Sequence, residues 1–225
     1  MLLEISQLSK VYPQSSGKNI TIFKDLDFGL TESDKIITIF GPSGVGKTTL
    51  LNILGTVDKP DSGIIKLNNI VYDKDNYQLM RKKYIGYMFQ FHYLLPEFTV
   101  FENLELSVKV KSIQNYDKIK TRKKILETLE DFKIQDKINS YSSELSGGEK
   151  QRVSLARAII NDPLIVLADE TTENLDNHNS ENIISKIQKI SNSKNIKFII
   201  ASHNNRFKEV SSSVYEIDNY SLVKK

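Results

Sequence analysis

The sequence predicts an α/β protein with a mostly parallel sheet core, a small β subdomain at the N-terminus and an inserted helical subdomain. Two apolar runs and one change of tone carry that expectation. Ile36, Ile37, Ile39 and Phe40 form a nearly continuous apolar stretch that stops at Gly41, as a strand buried on both faces would. Leu164-Ile165-Val166-Leu167-Ala168 does the same and ends in two carboxylates. Between about Phe91 and Glu144 the β-branched runs disappear and the chain becomes helical and charged.

The elements follow in order. Leu2 to Leu8, Thr21 to Phe28 and Lys35 to Phe40 are expected strands, broken by Tyr12-Pro13 and by the polar stretch Gln14 to Asn19. A helix is expected from Gly46 through Leu54, capped by Gly55. Strand character returns after Ser62-Gly63, from Ile64 to Tyr72. The helical stretch places Ile125, Leu126 and Leu129 on one face. After it come a helix from about Gly148 to Asn161, the Leu164 to Ala168 strand, a helix near Ser180 to Ile190 and the strand Lys197 to Ala201. Strands alternating with helices indicate a sheet covered on both faces. The whole of 1–225 is expected to be one domain, with β subdomain and core over about 1–90 and 145–225 and the helical subdomain over about 91–144. Asn-rich segments around Asn174 to Asn182 hint at loops but are put down to composition.

Composition removes several function classes. At 225 residues, 39% hydrophobic and 26% charged, the chain is neither disordered nor fibrous. Its longest apolar stretches are a handful of residues, well short of the roughly 18 to 20 that span a bilayer. Met1 to Ser6 lacks the features of a signal peptide, so the chain is expected to stay where it is made. Without cysteine there is no disulfide, thiolate metal site or cysteine nucleophile. Thirty-one basic against 28 acidic residues is too balanced to suggest a nucleic-acid partner, and none is expected.

Chemistry enters at Gly41-Pro42-Ser43-Gly44-Val45-Gly46-Lys47-Thr48, a P-loop pattern between an expected strand and an expected helix. Successive backbone N–H groups and the positive helix end can cradle a triphosphate, Lys47 can reach the outer phosphates and the Thr48 hydroxyl can hold Mg²⁺. Asp169 and Glu170, at the C-terminal edge of a buried strand, stand where open α/β sheets place ligands. Asp169 would hold Mg²⁺ and Glu170 would act on the attacking water as general base. Leu145-Ser146-Gly147-Gly148-Glu149-Lys150-Gln151-Arg152 is a helix start, with Ser146 as cap and two glycines baring N–H groups. One triphosphate does not need two phosphate-binding surfaces, so this second one suggests a nucleotide held by another copy of the chain.

These residues, with Gln90, Leu175-Asp176 and His203, occur in the order of the ATP-binding cassette (ABC) ATPases, and the resemblance covers essentially the whole chain. The stretches Tyr87 to Asn103 and Ser143 to Arg152 look like those of lipoprotein-releasing ATP-binding subunits, whose close relatives are macrolide and peptide exporter ATPases and the cell-division ATPase. The resemblance implies a P-loop NTPase of ABC type with an antiparallel N-terminal β subdomain. It implies ATP and Mg²⁺ as ligands, and two copies sandwiching two ATP head to tail, with Ser146, Gly147 and Gly148 of one copy facing the γ-phosphate bound by the other. Gln90 would sense Mg²⁺ and the attacking water, His203 would contact the γ-phosphate and Tyr12 would stack on adenine. Thr49, Glu149 and Asp176 join the nucleotide-binding set on the same ground. The apolar stretch Phe91 to Phe101 would receive a cytoplasmic helix of a membrane permease, placing the chain on the cytoplasmic face of the inner membrane.

The sequence departs from that family in three places. Relatives usually carry Pro at Thr171 and Gly or Ser at Glu173, and Asp is common at Asn204. Losing the proline frees the backbone after the general base, and a carboxylate at Glu173 would disfavour a close dimer interface. Hydrolysis is expected because Lys47, Asp169, Glu170 and His203 are all present. Two alternatives stay open: another transported substrate or a cell-division partner, and a nucleotide-gated dimerisation module that no longer hydrolyses.

Overall fold

The computed structural model describes residues 1–14, 17–112, 115–173 and 175–225. Asn174 of the unusual acidic segment, two residues of the Gln14 to Asn19 stretch and residues 113–114 of the helical stretch lie outside the described residues.

Two sheets divide the β structure. The first is antiparallel and runs β2 (Asn19–Leu30), β1 (Leu3–Pro13), β4 (Ser62–Leu67), β5 (Ile70–Val71). The second has six strands in the order β10 (Ser221–Lys224), β9 (Ser213–Asp218), β3 (Ile36–Phe40), β8 (Lys197–Ala201), β7 (Ile165–Asp169), β6 (Ile85–Met88). All its neighbours pair parallel except β10 with β9. The expectation of a mostly parallel core beside an antiparallel β unit therefore holds.

Strands β3, β7 and β8 are buried at every position, and cover on both faces of the sheet explains their largely apolar sequences. Ile36 and Phe40 join Val166, Ala168, Phe198 and Ile200 in one core; Ile37 and Ile39 join Ile165, Leu167, Ile199 and Ala201 in another. The first core is closed by α5 (Gly147–Ile159) and α6 (Asn177–Ser193), the second by α1 (Lys47–Leu54) and the antiparallel sheet. Sheet edges therefore stay free to present the loops that follow β3, β7 and β8.

Within the helical stretch, α3 (Val100–Lys111) starts at a capping box formed by Thr99 and Glu102, and α4 (Lys118–Asp131) is capped by Asp117. Ile125 and Leu129 are buried as expected, but Leu126 is 37% exposed. One residue of helix turns the side chain about 100°, and Thr121 and Thr128 complete the buried stripe instead.

Other differences have local causes. Strand β1 does not break at Tyr12-Pro13: past Ser9 it loses β4 as a partner and continues against β2 alone, so Pro13 sits at the last pair where its missing N–H costs nothing. Ile64 to Tyr72 is two strands, turned at Asn68 and Asn69, whose φ values of 52° and 62° suit a two-residue hairpin. Asp176 caps α6, so the Asn-rich residues from Asn177 onward are helix. The sequence reading assigned no element to α2 (Tyr77–Lys83), β6, α7 (Arg206–Val210), β9 or β10.

β6 lies so close to α5 that a Cβ on Gly86 would stand 2.2 Å from the Ala158 carbonyl oxygen. Gly86→Ala is expected to destabilise the fold by about 1–3 kcal/mol, the usual range for overpacking, measured as a lower denaturant midpoint at unchanged slope.

Candidate functional site

The loop between β3 and α1 is shaped by glycine. Gly44 and Gly46 have φ of 80° and 115°, a left-handed region that L side chains rarely adopt, and a Cβ on Gly46 would also meet Ile22 at 2.6 Å. Gly46 caps α1 without a side chain, leaving the helix end open. Lys47 is 4% exposed and its ammonium is fully engaged: it donates to Gly41 O at 2.8 Å and Pro42 O at 3.1 Å, and lies 3.0 Å from His203 Nε2. Ser43, Gly44, Gly46, Lys47, Thr48, Thr49 and Glu170 line a cavity of about 200 Å³. Val45 completes the loop, packed partly buried against the α1-side core.

β7 delivers the acids. Asp169 is 5% exposed and its Oδ1 is buried without a hydrogen-bond partner. Burial pushes its carboxyl up, a hydrogen bond from Thr48 and the charge of Lys47 work the other way, and the charge of Glu170 adds to the rise. An orphaned buried carboxylate oxygen beside a threonine hydroxyl fits a hard divalent cation.

Glu170 has φ of 46°, and its N–H donates to Ala201 O at 2.9 Å, which ties the end of β7 to β8. Its Oε2 accepts from Gln90 Nε2 at 2.9 Å; its Oε1 lies 3.3 Å from His203 Nε2 and 3.6 Å from Lys47 Nζ. The structure thus brings together Lys47, Gln90, Glu170 and His203, which the sequence placed as far as 156 residues apart. The Lys47 ammonium is the cation of this cluster.

Ser146 caps α5, and its amide and hydroxyl both donate to Glu149 Oε2 at 2.8 Å. These bonds, the backbone one first, hold the Glu149 carboxyl below the usual range. A Cβ on Gly148 would meet Asn179 Oδ1 at 2.5 Å, while one on Gly147 would find only Leu175 at 3.9 Å, so Gly147 faces open space. Asp176 accepts from Asn179 N at 2.9 Å and Asn179 Nδ2 at 2.6 Å, and these bonds depress its carboxyl. Ser146, Gly147, Gly148 and Glu149 do not line the phosphate-sized cavity of their own chain. Tyr12 keeps 36% of its surface exposed, has Lys10 Nζ 4.7 Å from its ring centroid and donates its hydroxyl to Asp58.

A family model described as ABC transporter matches residues 23–173. The chain belongs to the ABC transporter family. It is an ATP-binding and ATP-hydrolysing member. It is similar to the lipoprotein-releasing system ATP-binding protein LolD 2 of Chlorobium chlorochromatii, at 38% identity over 97% of this chain and 92% of that one. The LolD protein of Ehrlichia canis is 39% identical over 97% and 96%. Among solved structures, the dimeric cassette MJ0796 in a post-hydrolysis state bound to ADP and Pi superposes with a TM-score of 0.90 at 29% identity, covering 99% of this chain and 97% of that one.

Two features of this ABC cassette were missed in the sequence. Arg157, near the end of α5, donates to Tyr93 O at 2.6 Å and His92 O at 2.5 Å. Burial brings its guanidinium down to about 10. It clamps a turn in which His92 and Tyr93 have φ of 61° and 44°; an arginine about three turns beyond the Ser146 cap was the available signal. Second, Thr171 and Thr172 are each 3% exposed, and Thr172 accepts from Ser180 Oγ at 3.3 Å and Asn204 Nδ2 at 3.4 Å. Burial and these bonds hold the segment that lost its proline.

The turn clamped by Arg157 opens an apolar surface. Phe91 and Tyr93 are 67% and 61% exposed, and Tyr93, Leu95, Leu106 and Val110 line a groove of about 340 Å³. Buried Asn103 shapes it, accepting from Leu95 N and donating to the carbonyls of Leu95, Phe98 and Thr99. Among the described residues no helix is long and apolar enough to cross a membrane.

Proposed function

We propose that this ABC ATPase powers release of lipoproteins from a membrane, working as a head-to-tail pair bound to permease subunits. The observation that carries the reading is the placement of Lys47 and Glu170 on one phosphate-sized cavity with Gln90 and His203 in contact with them, and Ser146 to Gly148 outside it. A surface with bare glycine amides and no nucleotide of its own is suited to one held by a second copy. The dimeric state of MJ0796 supports that arrangement, and the lipoprotein-releasing relatives support the cargo.

In this reading the amides of Gly41 to Gly46, with Lys47, Thr48 and Thr49, hold the phosphates, and Tyr12 faces the adenine. Thr48, Asp169 and Gln90 would hold Mg²⁺, which neutralises phosphate charge when bound. Glu170 accepts the proton of the attacking water and His203 contacts the γ-phosphate. Contacts from both copies to the γ-phosphate exist only while ATP is intact, so hydrolysis biases the pair toward opening. Residues 91–144 form the helical subdomain, and the groove beside Phe91 and Tyr93 receives a permease helix at the cytoplasmic face of the inner membrane.

A mild-detergent pull-down of the tagged protein from its native membranes, read by mass spectrometry, tests this. A permease with a large extracytoplasmic domain is the expected companion, and it should be lost from the double variant Phe91→Ser, Tyr93→Ser. Recovery with no membrane protein would overturn the transport role.

A further inference from the structure

Glu173 stands against the hydrolytic cluster with no part in the account above. Its Oε1 lies 3.8 Å from His203 Nε2, the ring atom that also sits 3.3 Å from Glu170 Oε1 and 3.0 Å from Lys47 Nζ. Its carboxyl faces that of Glu170, and its N–H donates to Glu170 O at 3.4 Å, so both ends of the residue lie against the general base. Buried Thr172, just before it, joins the loop to Ser180 of α6 and to Asn204, which keeps the carboxyl near the cluster.

The groups facing it are Glu170, His203 and Lys47. Burial first, then the hydrogen bond with Glu170 and its charge, push the Glu173 carboxyl above the usual carboxylate range, while His203 and Lys47 pull it down. The ammonium of Lys47 offsets the two acids. A terminal phosphate that takes Lys47 and His203 for itself removes both offsetting partners of Glu173 and sets a like charge beside it.

We propose that Glu173 is a positioning residue that sets the affinity for the terminal phosphate: it lies against His203 and Glu170, the groups that would meet that phosphate, and its ionised form opposes phosphate entry. The sign follows from the carboxyl. Below its titration Glu173 is a neutral partner of Glu170 and tolerates phosphate. As pH rises it ionises and ATP binding weakens. ADP, lacking the γ-phosphate, escapes most of the effect.

The inference rests on nucleotide binding at this site, and calorimetric titration of the full chain with ATP and with ADP, in EDTA to prevent turnover, separates the two. Over a pH series that carries Glu173 from neutral to ionised, the wild-type Kd for ATP should rise about fivefold more than that of Glu173→Gln, a factor set by one added charge near the phosphate in a solvent-exposed setting. Glu173→Ser, with no carboxyl, should follow the Gln variant, and the ADP curves of all three should nearly coincide. Equal pH dependence for wild type and both variants, or equal effects on ATP and ADP, would overturn the role of Glu173. A wild-type chain that binds neither nucleotide would overturn the reading beneath it.

Discussion

Replacing Glu170 by Gln is expected to cut ATP turnover by about 10²- to 10⁴-fold, the usual contribution of a positioned general base, while ATP binding survives. The amide matches the carboxylate in size, so it keeps one acceptor for Gln90 Nε2, now 2.9 Å away. What it loses is the charge and the second acceptor, the oxygen that lies 3.3 Å from His203. Uncleaved ATP then keeps the two copies together, and gel filtration with ATP should show a dimer that wild type only passes through. Wild-type turnover in the variant would take the general base away from Glu170. A wild-type chain no faster than the variant, even with its membrane partner, would leave the dimerisation module as the surviving account.

Lys47→Ala is expected to weaken ATP binding by about tenfold to a hundredfold, since a hydrogen bond to a charged group is worth about 1.5–3 kcal/mol and about 1.4 kcal/mol is a factor of ten. The ammonium has three donors, and two of them go to Gly41 O and Pro42 O while the third meets His203 Nε2. Binding is therefore an exchange of partners. The variant leaves two loop carbonyls and Glu170 without their cation, so the empty protein should also melt roughly 2–8 °C lower. Calorimetric titration and a thermal melt read the two effects separately; ATP affinity unchanged from wild type would exclude the P-loop lysine from phosphate binding.

Much of this site was legible because its residues sit where buried strands stop. Phe40 and Ala168 end nearly continuous apolar runs, and the chemistry begins at the next residue, so strand, loop and helix could be placed together. Other parts lacked a local signal. β6 is four residues, Ile85 to Met88, and owes its place to parallel pairing with β7; nothing in a run that short separates strand from helix. β9 and β10 carry partly exposed positions and a weak alternation. The Arg157 clamp is a contact across 64 residues to backbone carbonyls, which side-chain patterns do not encode. Thr171 and Glu173 were seen as departures from the family, but that Thr171 would be buried and Glu173 drawn to His203 followed only from the fold of the loop. Fold class and chemistry were thus local, whereas the connections between loops were not.

Helix α5 carries Ser146 at its first turn and Arg157 near its last, with about 1.5 Å of rise per residue between them, roughly 17 Å in all. Past Gly147 and Gly148 the helix has neither proline nor glycine and is stiff along its length. A tilt of its first turn, if a second copy's nucleotide docks there, would swing the far end and with it the His92-Tyr93 turn. Mechanically the cassette is a first-order lever whose fulcrum is the packed body of the helix, where Val153, Leu155 and Ala156 are fully enclosed. A movement at the Ser146 end would thereby be delivered, not dissipated, at the groove where a membrane subunit would be seated.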